Sequence, residues 1–196
     1  MDVIRKIKIA RGLARRMIGR WRVLISTPKG GICAEIGVWQ GEFSGRILKT
    51  AHPRELHLVD PWLFAPHYPK RLWGGAVAKN QADMDAMRDA VARKFSGHPE
   101  VKIHRATSTE AANGFPNHYF DWIYIDGDHS YEAVLEDLRA WYPKMKPGGL
   151  ICLDDLYWKD ERGEMPVQAA IQAFLARTKV TRAKTLQRQF LIEVAR

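Results

Sequence analysis

Asp126-Gly127-Asp128-His129 follows directly on Trp122-Ile123-Tyr124-Ile125, and Asp154-Asp155 follows directly on Leu150-Ile151-Cys152-Leu153. Each apolar run reads as a buried strand, so each group of acids stands at the carboxyl end of a strand. If the two strands are neighbours, their ends lie about 5 Å apart and Asp126, Asp154 and Asp155 converge. Carboxylates that close repel one another, and burial worsens the repulsion. Something cationic should therefore sit between them. Oxygen-only donors suit a hard divalent ion, Mg²⁺ ahead of Ca²⁺ or Mn²⁺. The competing reading is that Asp128 caps the helix beginning at Tyr131 and the other acids face water.

The ends of the other apolar runs carry groups that bind rather than react. Glu35-Ile36-Gly37-Val38-Trp39-Gln40-Gly41 is a strand running into a glycine turn and then a helix. Such a turn lets a ligand approach the backbone, and the helix N-terminus beyond it favours negative charge. It is not the G-x-G-x-x-G dinucleotide fingerprint, because the glycines are four apart and an acid precedes them. Asp60 ends the run His57-Leu58-Val59, 23 positions after Gly37. An acid at about that distance grips a ribose hydroxyl pair, or else it caps a turn. Ser108, just past Val101 to Arg105, either hydrogen-bonds a base or caps the helix it opens.

Strands are expected at Ile32 to Ile36, Glu55 to Val59, Val101 to Arg105, Asp121 to Ile125, Leu150 to Leu153 and Gln189 to Val194. Helices are expected at Gly41 to Thr50, Gln81 to Phe95, Ser108 to Asn113, Tyr131 to Trp141 and Val167 to Arg177. This alternation predicts an α/β fold, a doubly wound, mostly parallel sheet covered by helices on both faces. Ligands bind such sheets beyond the carboxyl ends of the strands, where the acids stand. Residues 61 to 79 are irregular and aromatic, with Trp62, Phe64, His67, Tyr68 and Trp73. They read as a lid or acceptor pocket, or as a loop packed by its own rings.

The domain proper is expected over residues 30–196, preceded by a helical extension over 1–29. In residues 3 to 25, Ile4, Ile7, Ala14, Ile18, Trp21 and Ile25 recur at helical spacing, with most basic residues on the other face and Arg11 intruding. Residues 1–30 hold nine Lys and Arg against Asp2, so this segment carries +8 of the chain's net +9. Three readings follow: a helix packed over the sheet with a solvated basic face, an anchor on an anionic membrane surface through residues 1–25, or a patch for a polyanion. No RNA-binding module is visible, which makes nucleic acid the least favoured partner. A hydrophobic content of 46% and a charged content of 27% are ordinary for a soluble globular domain. With neither a spanning run nor a signal-like segment, a cytoplasmic protein is expected, peripheral at the inner membrane face if the helix anchors it. Cys33 and Cys152 have no metal or redox spacing and are expected to be buried reduced thiols.

Taken together, Glu35-x-Gly37-x-x-x-Gly41, Asp60, Asp126-Gly127-Asp128-His129-Ser130-Tyr131, Pro147-Gly148-Gly149 and Asp154-Asp155 resemble the class I S-adenosylmethionine-dependent methyltransferases. The match is nearest to the branch of macrolide-sugar and aminocoumarin-sugar O-methyltransferases, and it covers about residues 30 to 177. The resemblance implies a Rossmann-like, seven-stranded sheet. It implies that Glu35, Gly37, Gly41 and Ser44 hold the amino-acid end of S-adenosylmethionine, that Asp60 holds its ribose, and that Ser108 and Asp126 contact adenine and the sulfonium region. In metal-using members the ligands correspond to Asp126, Asp154 and Asp155, with Mg²⁺ as the expected ion. Asp128 falls where related enzymes place a general base, with His129 as the alternative. The expected activity is O-methylation of a small-molecule or sugar-linked hydroxyl. The sugar enzymes carry longer segments around the site, so the acceptor is not fixed by the resemblance. The alternatives are a nicotinamide-dependent oxidoreductase and a non-catalytic binding protein, and a homo-oligomer is left open.

Overall fold

The computed structural model describes residues 18–65 and 78–196. The expectations for residues 1–17 and for His67, Tyr68 and Trp73 lie outside the described residues. Helical residues 18–26 (α1) lead into β1 (Ile32–Ile36), α2 (Glu42–Ala51), β2 (Glu55–Asp60), α3 (Gln81–Lys94) and β3 (Val101–Arg105). There follow α4 (Ser108–Asn113), β4 (Phe120–Ile125), α5 (Tyr131–Trp141), β5 (Met145–Leu153), α6 (Pro166–Leu175), β6 (Val180–Leu186) and β7 (Gln189–Val194). The seven strands lie in the order β3-β2-β1-β4-β5-β7-β6. The first five are parallel; β7 runs antiparallel to β5 and β6 antiparallel to β7. The fold is α/β and Rossmann-like, as expected.

Strand residues alternate between two cores. Cys33, Leu56, Leu58, Trp122 and Tyr124 pack with Val23 and Leu24 of α1, Ile47 of α2 and Val91 of α3. Ala34, Ile36, Ile123, Ile125 and Ile151 pack on the opposite face with Leu138 and Trp141 of α5 and Ile171 of α6. A sheet buried on both faces explains why its strands read as unbroken apolar runs. Cys33 and Cys152 are buried and free, as expected.

Three elements depart from the sequence reading. β5 begins at Met145 and takes in Pro147-Gly148-Gly149, which form an irregularity opposite Phe120 and Trp122 instead of a turn before the strand. β6 is the seventh strand that the resemblance implies but that the residue pattern does not locate: five of its seven residues are exposed, and it completes the sheet as a polar edge. Trp62, assigned to a lid, is fully buried in the core, and its indole N–H donates to the Trp39 carbonyl at 3.0 Å.

Two buried tryptophans test how polar groups are satisfied in these cores. The Trp141 indole donates to Ser108 Oγ at 2.8 Å, whereas Trp122 Nε1 has no hydrogen-bond partner among the described residues. Trp141→Phe leaves Ser108 without its donor, while Trp122→Phe removes a polar atom that was already unpaired. Denaturant titration should show Trp141→Phe to be the costlier change by about 1–2 kcal/mol. The reverse order would mean that Trp122 Nε1 is satisfied in solution.

Candidate active site

Val59, Ile36, Ile125 and Leu153 lie side by side in register across β2, β1, β4 and β5. One residue further along each strand stand Asp60, Gly37, Asp126 and Asp154, so the sheet brings all four to one edge. The backbone ladder continues through them: Gly37 N–H donates to Val59 O at 2.9 Å, Asp126 N–H to Ile36 O at 2.8 Å, and Asp154 N–H to Ile125 O at 3.0 Å. β1 lies between β2 and β4, where the strand order reverses, and in open α/β sheets that point opens a crevice.

Gly37 cannot be another residue. Its φ is +89°, and a Cβ there would stand 2.3 Å from the Asp126 carbonyl oxygen and 2.9 Å from Gly127 Cα. The turn after β1 thus presses directly on the loop after β4. Gly41, with φ +67°, opens α2 beside Phe95.

The acids around the turn are partnered inside the protein. Glu35 and Ser44 are both buried, and the Ser44 hydroxyl donates to Glu35 Oε2. Burial pushes the Glu35 carboxyl up to about 8, against the opposing effect of that hydrogen bond. Asp60 Oδ2 accepts from the Val38 and Trp39 N–H groups at 3.0 and 2.9 Å, and Oδ1 from the Trp62 N–H at 2.7 Å. Burial raises its pKa, and the three N–H groups restrain the rise. Ser108 does not cap α4. That role belongs to Thr107, paired with Glu110 in a capping box, a Thr-x-x-Glu signal overlooked one residue upstream. Ser108 instead lies against α5, bonded to Trp141, and beside Asp137, whose buried carboxyl is pushed up to about 7 by desolvation.

The cation expected among the strand-end acids is Arg20 of α1. Its Nε donates to Asp154 Oδ2 at 2.8 Å, and its Nη2 bridges Asp154 Oδ2 and Asp126 Oδ2. The guanidinium lies over the Phe43 and Tyr124 rings, 5.1 and 5.9 Å from their centroids. Burial works against its charge, but Asp126 and Asp154 raise its pKa above even the usual arginine value. Asp154 is fully engaged: Oδ1 accepts from the Asp155 N–H at 2.8 Å and from Gln189 Nε2, and Gln189 Oε1 accepts from the Tyr124 hydroxyl at 2.7 Å.

Asp126, Asp154 and Asp155 therefore do not close on one point as a ligand set. Among the described residues, Asp126, His129 and Asp155 come closer to such a set, each with one potential donor atom, all within 4.8 Å of one another. His129 Nε2 is buried 3.6 Å from Asp126 Oδ1 and 3.8 Å from Asp155 Oδ2, too far for a hydrogen bond. Burial disfavours the imidazolium, yet Asp126 together with Asp155 and Asp154 raises the His129 pKa overall. Asp155 has φ +48° and holds Arg188 Nη2 at 3.3 Å through Oδ1. Asp128 accepts from the Ser130 N–H at 2.8 Å, so it braces the loop ahead of α5 and is not itself the cap of that helix. The sequence reading missed Trp158, whose ring stacks on His129 with centroids 5.6 Å apart while a third of it stays exposed.

A sequence model of the methyltransferase domain matches residues 34–156, more than half of the chain. The chain belongs to that methyltransferase-domain family. A stretch of 56 residues is 36% identical to an uncharacterized protein of Acanthamoeba polyphaga mimivirus, covering 29% of this chain and 24% of the viral one. The chain thus spans only about a quarter of that relative. Among solved structures, a SAM-dependent methyltransferase from Aquifex aeolicus superposes with a TM-score of 0.57 at 14% identity, over 98% of this chain and 97% of its own. The N-methyltransferase NodS from Bradyrhizobium japonicum gives 0.57 at 11% identity, over 90% and 93%. A protein from Corynebacterium glutamicum gives 0.61 at 14%, over 94% and 81%. At these identities the likeness is one of fold.

Glu35 gives this edge a pH signature. Unfolded, the carboxyl titrates near 4.5; folded, near 8. Between those values the folded chain holds a proton that the unfolded chain has released. Its stability contribution is therefore complete below pH 4.5 and lost as pH rises through 8. Glu35→Gln keeps the hydrogen-bonding shape without the titration. Denaturant midpoints should lie closest near pH 5 and shift in favour of Glu35→Gln as pH climbs to about 9. A gap that does not change with pH would contradict the burial argument. Gly37→Ala should be far more disruptive at any pH, showing either loss of folding or a displaced β4 loop.

Proposed function

We propose that the protein is an S-adenosylmethionine-dependent methyltransferase acting on a hydroxyl of a small molecule or a sugar-linked acceptor. The observation that carries the reading is the contact between the Gly37 turn and the Asp126–His129 loop, in a chain of the methyltransferase-domain family. Bound at that edge, S-adenosylmethionine would supply a methyl group on a cationic sulfur. Only a glycine fits the turn, so backbone rather than side chain faces the ligand there. Glu35, Gly37, Gly41 and Ser44 line the turn, Asp60 stands beside it for the ribose, and Asp126 offers negative charge toward a sulfonium. Family membership leaves the nicotinamide alternative without support.

A hydroxyl is a weak nucleophile until it gives up its proton. With S-adenosylmethionine bound to supply the methyl group, Asp128 or His129 would take that proton from the acceptor hydroxyl. The exposed rings of Trp39, beside Asp60, and Trp158, against His129, offer faces on which a sugar ring could stack. They take the place that the reading of residues 61–79 gave to Trp62. Metal assistance has a narrower basis. Asp126, His129 and Asp155 fit a divalent ion, which would lower the pKa of the acceptor hydroxyl. An imidazole donor tilts the preference from Mg²⁺ toward a transition ion and would leave Asp128 as the base.

The test is methyl transfer from labelled S-adenosylmethionine to a panel of sugar hydroxyls, with and without chelator. Asp128→Asn should lower turnover by about 10²–10⁴ while leaving S-adenosylhomocysteine affinity unchanged. Unchanged turnover would remove Asp128 from the chemistry. Transfer to amines but to no hydroxyl would overturn the O-methyl reading.

A further inference from the structure

We infer that α1 docks the protein on an anionic lipid surface through its outward apolar face. Ile18, Trp21 and Ile25 are 52%, 55% and 56% exposed, a high value for three large apolar side chains on one helix. At 3.6 residues per turn they fall within about 60° of one another, a single stripe along the helix. Arg20, Val23, Leu24 and Thr27 centre on the opposite side. Val23 and Leu24 are wholly buried, and Gly19 packs close against Gln189. The helix cannot roll to hide the stripe without pulling Arg20 from Asp126 and Asp154. The stripe is thus held outward by the interactions that anchor the opposite face.

Charge decides what fits it. Leaving out Arg20, which is paired inside, residues 1–30 carry eight Lys and Arg against one acid, and Arg22, beside the stripe, is exposed. An apolar ridge with a tryptophan, set in a segment this basic, has the composition of a helix lying in a bilayer interface, with its rings and aliphatic chains in the headgroup boundary and its cations among anionic lipids. A nucleic acid would match the charge but gain nothing from two isoleucines. Among the described residues no helix is long and apolar enough to cross a membrane, so the contact is with the surface. Because Arg20 ties this helix to the strand-end acids, docking would hold the candidate active site at a fixed height above the lipid.

Flotation of the full chain with phosphatidylglycerol–phosphatidylcholine vesicles, and with phosphatidylcholine alone, tests this. The expected result is flotation with the anionic vesicles only, reduced by salt. The triple variant Ile18→Ser, Trp21→Ser, Ile25→Ser should bind at least about tenfold more weakly. These side chains are exposed, so the variant should keep the wild-type denaturation midpoint. Equal flotation on neutral vesicles, or undiminished binding by the variant, would overturn the proposal. So would a failure to float together with a dimer, seen by ultracentrifugation, that the variant dissolves, because the stripe would then be a contact between copies. A monomer that never floats would overturn it as well.

Discussion

Two carboxylates, Asp126 and Asp154, stand at the ends of adjacent parallel strands, and one guanidinium lets both remain charged there. Neither acid could be moved without breaking the register of β4 and β5, which sets Ile125 beside Leu153. Like charges so close would otherwise drive one of them to protonate. Arg20 answers both at once, and its planar fork suits the task better than a lysine would. Losing one partner of a buried ion pair typically costs about 3–5 kcal/mol, because the charges left behind remain desolvated. The position of α1 is therefore tied to the strand ends. A segment that reads as an appendage in the sequence forms part of the site's electrostatics.

The second constraint is steric. Gly37 leaves no room for a side chain between the first strand turn and the Asp126 carbonyl, so the two loops that would face a methyl donor are locked together. Beneath them Glu35 and Ser44 satisfy each other in the dark of the core, and burial keeps the Glu35 proton in place well above the ordinary carboxylate range. Asp60 spends its oxygens on three backbone amides of the loops on either side, which fixes those loops as firmly as a cap fixes a helix. The edge is held by backbone geometry.

Much of this was legible because the sheet is buried on both faces. Its strands announce themselves as apolar runs, and the residues that end them are the ones the register aligns. The need for a cation among the acids followed from Coulomb repulsion alone. Its identity did not, because Arg20 lies 106 positions from Asp126 and nothing local links them. The helical wheel set Ile18, Trp21 and Ile25 on one face and most basic residues on the other, but it left open which face packs: the apolar three point outward and Arg20 points in. β6 escaped notice because an edge strand needs no apolar pattern, and Asp154 left the expected ligand set because Gln189 and Arg20 claim its oxygens. Long-range polar pairing is the information that periodicity does not carry.

The claim on which the rest turns is that this strand-end cluster binds a methyl donor. Calorimetric titration of the folded, full-length protein with S-adenosylhomocysteine addresses it without knowledge of the acceptor. Saturable binding of one molecule per chain is the predicted result. No binding by a protein shown to be folded would contradict it, and would mean that Asp60, Asp126 and the Gly37 turn serve the fold alone.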